Sequence, residues 1–497
     1  MNIDLKALNS SQGFRIVGGN SGDLAGLAVS NAGDINADGI PDILIGAPHA
    51  SLIAAKTLGN AYVVYGKRHG EEFKDIKLDH LDAKHGFKIL GSKSMDNTGI
   101  SLSGVKDING DGIDDIIIGA AFASRLDRAY SGISYVVYGK KDGYNSIELS
   151  TLDNTQGFRI IGSVTGDQSG YIVNSAGDVN ADGMLDIAIG ASGASPFGRY
   201  KAGESYVIYG KKGGYDSIDL SMLDEITGFS IAGARGREFV GDSSYIINGV
   251  GDINADGIDD VAIGAFNADP LNRESQGAVY VLYGIKGIRG NIDLLQFNNV
   301  QGFKILGASS DRFGGAIASA GDVNKDGIAD IIIGAYEAMP LGRFQAGISY
   351  VIYGRKGGYS DDIDLLDFNK TYGFRILGET NSCSGSSVNR AGDINSDGID
   401  DVVVGALNAE PLNRSGAGAS YIVYGKKGGY TDDVDLSNLT TEGFSIFGAG
   451  ENDNTGQSLS GIFDINGDGV NEIIIGAPGA SLSNMSEAGV AYVIYGE

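Results

Sequence analysis

Seven stretches of this 497-residue chain share the pattern Asp-x-Asn-x-Asp-Gly-x-x-Asp, the last with Glu in the final place. Positions 1, 3, 5 and 9 offer side-chain oxygens, position 7 offers its backbone carbonyl, and Gly at position 6 permits a sharp turn. In the first four loops these five positions are Asp34, Asn36, Asp38, Ile40 and Asp42; Asp107, Asn109, Asp111, Ile113 and Asp115; Asp178, Asn180, Asp182, Met184 and Asp186; Asp252, Asn254, Asp256, Ile258 and Asp260. The last three loops supply Asp322, Asn324, Asp326, Ile328 and Asp330; Asp393, Asn395, Asp397, Ile399 and Asp401; Asp464, Asn466, Asp468, Val470 and Glu472. Calcium takes about six to eight oxygen ligands in flexible geometry, and this spacing wraps such a set around one point. Up to seven Ca²⁺ are therefore expected. Turn chemistry alone explains one Asx residue per loop, not four at fixed offsets in every loop.

A motif that recurs every 70 to 74 residues makes the chain an array of similar units. They run approximately over 13–66, 86–139, 157–210, 228–284, 302–354, 373–425 and 443–496, within one domain spanning 1–497. In the third unit, Gly157–Gly162, Gly170–Val179, Asp186–Ala191 and Ser205–Gly210 read as four short strands bounded by glycine, which gives 28 strands over seven units. The third strand is apolar on both faces, as in Ile116-Ile117-Ile118, Ile331-Ile332-Ile333 and Val402-Val403-Val404. Such a strand belongs to a sheet sandwiched between neighbours. The pattern predicts an all-β, seven-bladed β-propeller of four-stranded antiparallel blades. A solenoid is the runner-up, but it needs capping units, and the terminal units here are as regular as the rest. The chain opens on a first-type strand, Gly13–Gly18, and stops on a fourth-type strand, Tyr492–Gly496. Residues 13–18 are thus expected to complete the blade built from 456–496 and to close the ring.

The formal charge of −26 argues against nucleic acid, which demands a basic footprint. Part of that acidity is metal-loop carboxylate, and seven divalent ions would offset about half of it. Glycine is abundant at 80 residues but follows no three-residue period, and 42% of the chain is hydrophobic, so neither collagen nor disorder fits. The lone Cys383 permits no internal disulfide. No stretch approaches the roughly 18 apolar residues of a membrane span, and no export signal is readable, so membrane insertion is not expected. Calcium sites of the extracellular kind fill at roughly 10⁻⁴–10⁻³ M, which points to the cell surface or beyond.

Phe313-Gly314 ahead of a metal loop, with Gly46-Ala47-Pro48 and Gly476-Ala477-Pro478 behind one, resembles the FG-GAP repeat of integrin α-subunit heads, most closely in its bacterial form. The resemblance covers essentially the whole chain. It implies a seven-bladed propeller whose calcium loops join the first and second strands of each blade on the lower face. It also implies that ligands meet the opposite face. All seven units here keep the metal pattern, the strict Phe-Gly pair occurs once, and inserts such as Ile147–Gln156 lengthen the units. No stretch of the sequence reads as an integrin's leg domains or membrane helix, so integrin-style signalling is not expected to carry over.

The loops on that opposite face each span 13 positions between glycines, and five place arginine at the ninth step: Arg128, Arg199, Arg273, Arg343 and Arg414. A ring of guanidinium groups would capture carboxylates or sulfates, whereas the competing reading has each arginine pin its own loop. Units one and seven carry Ala55 and Met485 instead. Arg237 and Phe239, in an unusually long segment of unit four, are further ligand-face candidates. The four histidines lie in the first 85 residues without zinc spacing, and Cys383 has no activating histidine, so no catalytic residue is assigned. The sequence predicts a non-enzymatic, calcium-binding β-propeller acting in adhesion or protein interaction, with a protein or glycan ligand. A hydrolase, a lectin-like propeller and a structural segment of a larger secreted adhesin or toxin stay open as alternatives. The absence of Trp leaves little material for an aromatic sugar platform. Related repeats accompany a phospholipase whose zinc catalytic domain has no counterpart here.

Overall fold

The computed structural model describes residues 2–50, 58–234, 245–269, 271, 273, 275–308, 311–482 and 484–497. The expected seven-bladed, all-β propeller forms, with no α-helix among the described residues and only short 3₁₀ turns. In the first sheet, Ala28–Gly33, Asp42–Ala47, Asn60–Val64 and Gly86–Leu90 lie side by side as antiparallel neighbours in chain order. The strands read from the third unit are found at Gly157–Ile161, Ser169–Gly177, Asp186–Ala191 and Glu204–Ile208.

The strand that opens each unit belongs to the sheet of the unit before, so Gly157–Ile161 pairs with Ile133–Val137. The same offset lays Gly13–Val17 antiparallel to Val490–Ile494, with Phe14 opposite Val493 and Ile16 opposite Ala491. The two ends of the chain therefore share a sheet. Between neighbouring blades, asparagines on the innermost strands bond across the gap: Asn174 Nδ2 donates to Ile247 O (2.8 Å) and Asn248 Nδ2 to Ile317 O (3.0 Å). Ser458 Oγ, on the last sheet's innermost strand, donates to Gly26 O (2.8 Å), two residues ahead of the first sheet's.

The expectation of four-stranded blades needs correction. Every sheet has a fifth strand of two or three residues, parallel to its outer edge, which raises the expected 28 strands to 35 among the described residues. Ser146–Glu148 lies beside Gly86–Leu90, and Ser217–Asp219 beside Gly157–Ile161. These straps are the segments that the sequence presents as inserts, including Ile147–Gln156. Each reads apolar-x-Leu, as in Ile218-Asp219-Leu220 and Ile363-Asp364-Leu365. Two or three residues are too few to show alternation, so periodicity does not detect them. Their apolar residue buries in six of the seven, with Ile147 fully covered and Ile76 half-buried, and the pairing covers an outer edge that would otherwise expose open hydrogen-bonding groups.

The core lies between blades. Ile116 and Ile118 of the second sheet pack in one cluster with Leu44, Val63 and Phe87 of the first. Ile117, on the other face of the same strand, packs with Ile187 and Ile189 of the third. The doubly apolar strand is thus explained by two interfaces, and each such buried side chain contributes about 1.5–3 kcal/mol. No helix among the described residues is long and apolar enough to cross a membrane.

Candidate metal centres

Each nine-residue loop connects the innermost strand of a blade to the second, so all seven open at the same end of the blades. In six sheets the innermost strand shifts register immediately before the loop, as between Asn31 and Gly33 opposite Asp42. That bulge turns position 1 away from the strand and toward the loop interior. Gly33 takes φ 71° there, a left-handed value that glycine adopts without strain. The loop then winds around position 1. Asp34 accepts from Asp38 N (3.0 Å) and Gly39 N (2.9 Å), and Asp38 accepts from Ile40 N (2.9 Å). The same three bonds recur in the other loops, from Asp107 and Asp111 through Asp464 and Asp468.

Position 9 is where sequence and burial conflict most. Asp42, Asp115, Asp186, Asp260, Asp330, Asp401 and Glu472 are all fully buried. Asp42 accepts from Ile35 N (3.1 Å) and from Gly66 N (2.9 Å), which ties the loop floor to the end of the third strand. Burial pushes Asp115, Asp186, Asp260 and Asp330 up to about 8, Asp401 to about 7 and Glu472 to about 9; the acids at positions 5 and 1 add to the rise. Asp42 is raised well above its ordinary value for the same reasons. Two carboxylates crowded beside a desolvated third favour a proton on it; a cation among them reverses that preference. The asparagines at position 3 add a second sign. Asn36, Asn254 and Asn324 are buried, and their Oδ1 atoms have no hydrogen-bond partner. Such an orphaned oxygen is costly unless something positive meets it. The donor set is all oxygen, hard and loop-borne, which fits Ca²⁺ better than Zn²⁺.

Glu472 departs from the pattern in an informative way. Its extra methylene carries one oxygen into the loop, where Oε1 accepts from Asn466 Nδ2 (2.7 Å) while Oε2 holds Ile465 N (2.8 Å). Oxygens of Asp464, Asp468 and Glu472 lie within 4.8 Å of one another, the one such acidic group among the described residues. The substitution that looks weakest in sequence gives the most convergent carboxylates.

A family model for the FG-GAP repeat matches residues 25–65, 98–137, 170–208, 247–282, 313–352, 385–423 and 455–494. The chain belongs to the FG-GAP repeat family. Each match covers the first three strands of one blade with its nine-residue Asp-rich loop. Integrin alpha pat-2 of Caenorhabditis elegans is 28% identical over 256 residues, 50% of this chain and 18% of that protein. Phosphatidylinositol-glycan-specific phospholipase D of Mus musculus is 34% identical over 188 residues, 37% of this chain and 20% of that protein. Integrin alpha-5 of Xenopus laevis is 27% identical over 238 residues, 48% and 19% respectively. The matches cover no more than about a fifth of these relatives' own length.

On the face opposite these Asp-rich loops, the structure gives the five arginines internal work. Arg128 donates to both carboxylate oxygens of Asp219 (2.7 and 2.9 Å) and to Gly162 O (2.9 Å). Arg199 grips Asp293 and Gly233 O, Arg273 grips Asp364 and Gly307 O, Arg343 grips Asp435 and Gly378 O, and Arg414 grips Asp4 and Gly448 O. Each acid sits on the strap at the outer edge of the same sheet. These guanidinium groups clasp straps rather than face solvent as a ligand ring. Where the arginine is missing, so is the aspartate: the first sheet's strap has Glu148 and the last has Lys77. Arg237 and Phe239 lie outside the described residues, as does Ala55.

What those loops do expose is apolar. Two residues before each clasp stand Leu126, Phe197, Leu271, Leu341 and Leu412, between 57% and 76% exposed, all with φ of 53–55°. The signal was present in sequence as an apolar residue at a fixed offset from arginine, but its exposure depends on the turn being left-handed.

Proposed function

We propose that the chain is a calcium-stiffened FG-GAP propeller that binds a protein partner on the face opposite its metal loops, outside the cell or at its surface, and without catalysis. The observation that carries this reading is the repeated turn that holds a large apolar side chain out to solvent. A bulky residue in left-handed conformation costs roughly 1–2 kcal/mol, and exposure returns none of it to the fold. A partner that covers the side chain recovers that cost. Four of the five are leucine and the chain has no Trp, so a protein surface suits them better than a sugar, which stacks on flat aromatic rings. Bound calcium would fix the opposite hairpins and so hold the five turns in a constant relation. The part-length likeness to integrin α chains supports an interaction role.

The test uses calcium-loaded and EGTA-stripped protein. Stripped protein is expected to take up several ions near 0.1–1 mM calcium with a rise in thermal midpoint. A cell-surface protein retained by the loaded chain is expected to be released by EGTA and by a Phe197→Ser/Leu341→Ser double substitution that leaves the midpoint unchanged. Equal retention by the double variant would remove these turns as the contact, and no calcium uptake would remove the metal reading.

A further inference from the structure

Position 8 of the metal loops reads Pro41, Asp114, Leu185, Asp259, Ala329, Asp400 and Asn471, so an acid stands in the second, fourth and sixth loops. Each of these acids reaches over the blade boundary into the loop before its own. Asp114 Oδ2 accepts the backbone N–H of Asp34 (3.0 Å), Asp259 Oδ2 that of Asp178 (2.9 Å), and Asp400 Oδ2 that of Asp322 (2.8 Å). The residue held is position 1 of the upstream loop, around which that loop winds. Gly33, Gly177 and Gly321, just ahead of it, leave room; a Cβ at any of them would overlap the incoming carboxylate. At the boundaries between second and third loops and between fourth and fifth, Leu185 and Ala329 have no side-chain acceptor to offer, and between sixth and seventh Asn471 sets its Nδ2, a donor, against Gly392.

We infer that Asp114, Asp259 and Asp400 are positioning residues that join the calcium loops in three pairs, first with second, third with fourth and fifth with sixth. Ions bind cooperatively within a pair and independently between pairs. The inference rests on the calcium reading above. Its physical basis is the place of position 8 between two ligand positions, the carbonyl of 7 and the carboxylate of 9. A cation that fixes those two in the downstream loop also fixes the residue between them, and with it the N–H of the upstream position 1. Linkage makes the effect reciprocal. A carboxylate lying between two bound cations also offsets their mutual repulsion. In the third pair Arg390 also holds Asp400 Oδ1 (2.6 Å), so that the acid is positioned partly from outside the loop and the coupling is expected to be weakest there.

The test is a calcium titration of the full chain, followed at the backbone amides of Gly39, Gly112 and Gly183, the position-6 glycines of the first three loops. Asp107→Ala, which disables the second loop, is expected to weaken calcium at Gly39 about fivefold or more and to leave Gly183 unchanged. In an Asp114→Ala background that dependence disappears. A purely structural role for Asp114 would shift the melting temperature of these variants without making the first loop depend on the second. If Gly39 titrates identically with and without Asp107→Ala in protein that binds calcium, the pairing is refuted and the calcium propeller stands. If wild-type protein binds no calcium, both fall together.

Discussion

Asn36 states the residue-scale problem most plainly: a buried amide oxygen with nothing to accept from. If it is a calcium ligand, Asn36→Ala is nearly free in stripped protein, within about 1 kcal/mol, because no hydrogen bond is lost. The same change is expected to weaken calcium at the first loop about tenfold or more and to lower the ion count by one at limiting calcium. Calorimetry and thermal melts on stripped and loaded protein give both numbers; a large loss of stability without calcium would mean that the oxygen has a structural partner instead. This much was legible in sequence, since positions 1, 3, 5 and 9 are local to one loop. What was not legible is the floor of the site. Asp42 is buried because Gly66, 24 residues on, donates to it. Glu472 converges because of side-chain length, which a position-by-position comparison scores only as a deviation.

At the scale of elements, the strap and its clasp were the hidden part. Arginine at a fixed step was visible, but its partner lies some 91 to 94 residues later, or at Asp4 for Arg414, and no local spacing links them. The joint loss of both members in the first and last sheets identifies the pair as one unit. The Arg343 hydrogen bonds hold Asp435 down to about 2 from its ordinary 3.8. A depressed carboxyl contributes stability above 3.8, and the contribution is lost as pH falls from there through about 2. Asp4, Asp219, Asp293 and Asp364 are lowered in the same direction by their arginines. Urea midpoints are therefore expected to fall steeply below about pH 4. Arg343→Ala should cost about 1 kcal/mol at pH 7, solvent screening included, and should flatten that acid limb. An unchanged acid limb in this variant would show that the clasp carries no stability.

For the whole molecule, the phase of the repeat made the pairing of Gly13–Val17 with Val490–Ile494 readable: the later strand is of the kind that precedes the earlier one in the series, and each offers the other an edge. The structure adds the cost of that arrangement. Ile16 is fully buried against residues near the other terminus, in a cluster with Ile45, Ile474 and Val493. Deleting most of its side chain in Ile16→Ala should cost about 2–5 kcal/mol. Which rate absorbs the loss depends on when the terminal strand docks. Within a blade, neighbouring strands are joined by short loops and can pair early, whereas Gly13–Val17 meets Val490–Ile494 only after the intervening blades have formed. Interactions made after the transition state appear in the unfolding rate. Ile16→Ala is accordingly expected to speed unfolding by most of its equilibrium effect and to leave refolding nearly unchanged. Ile117→Ala, between two internal blades, should slow refolding as well. Stopped-flow measurements on the two variants decide the point: equal slowing of refolding by both would place the terminal strand inside the folding nucleus rather than at the end of assembly.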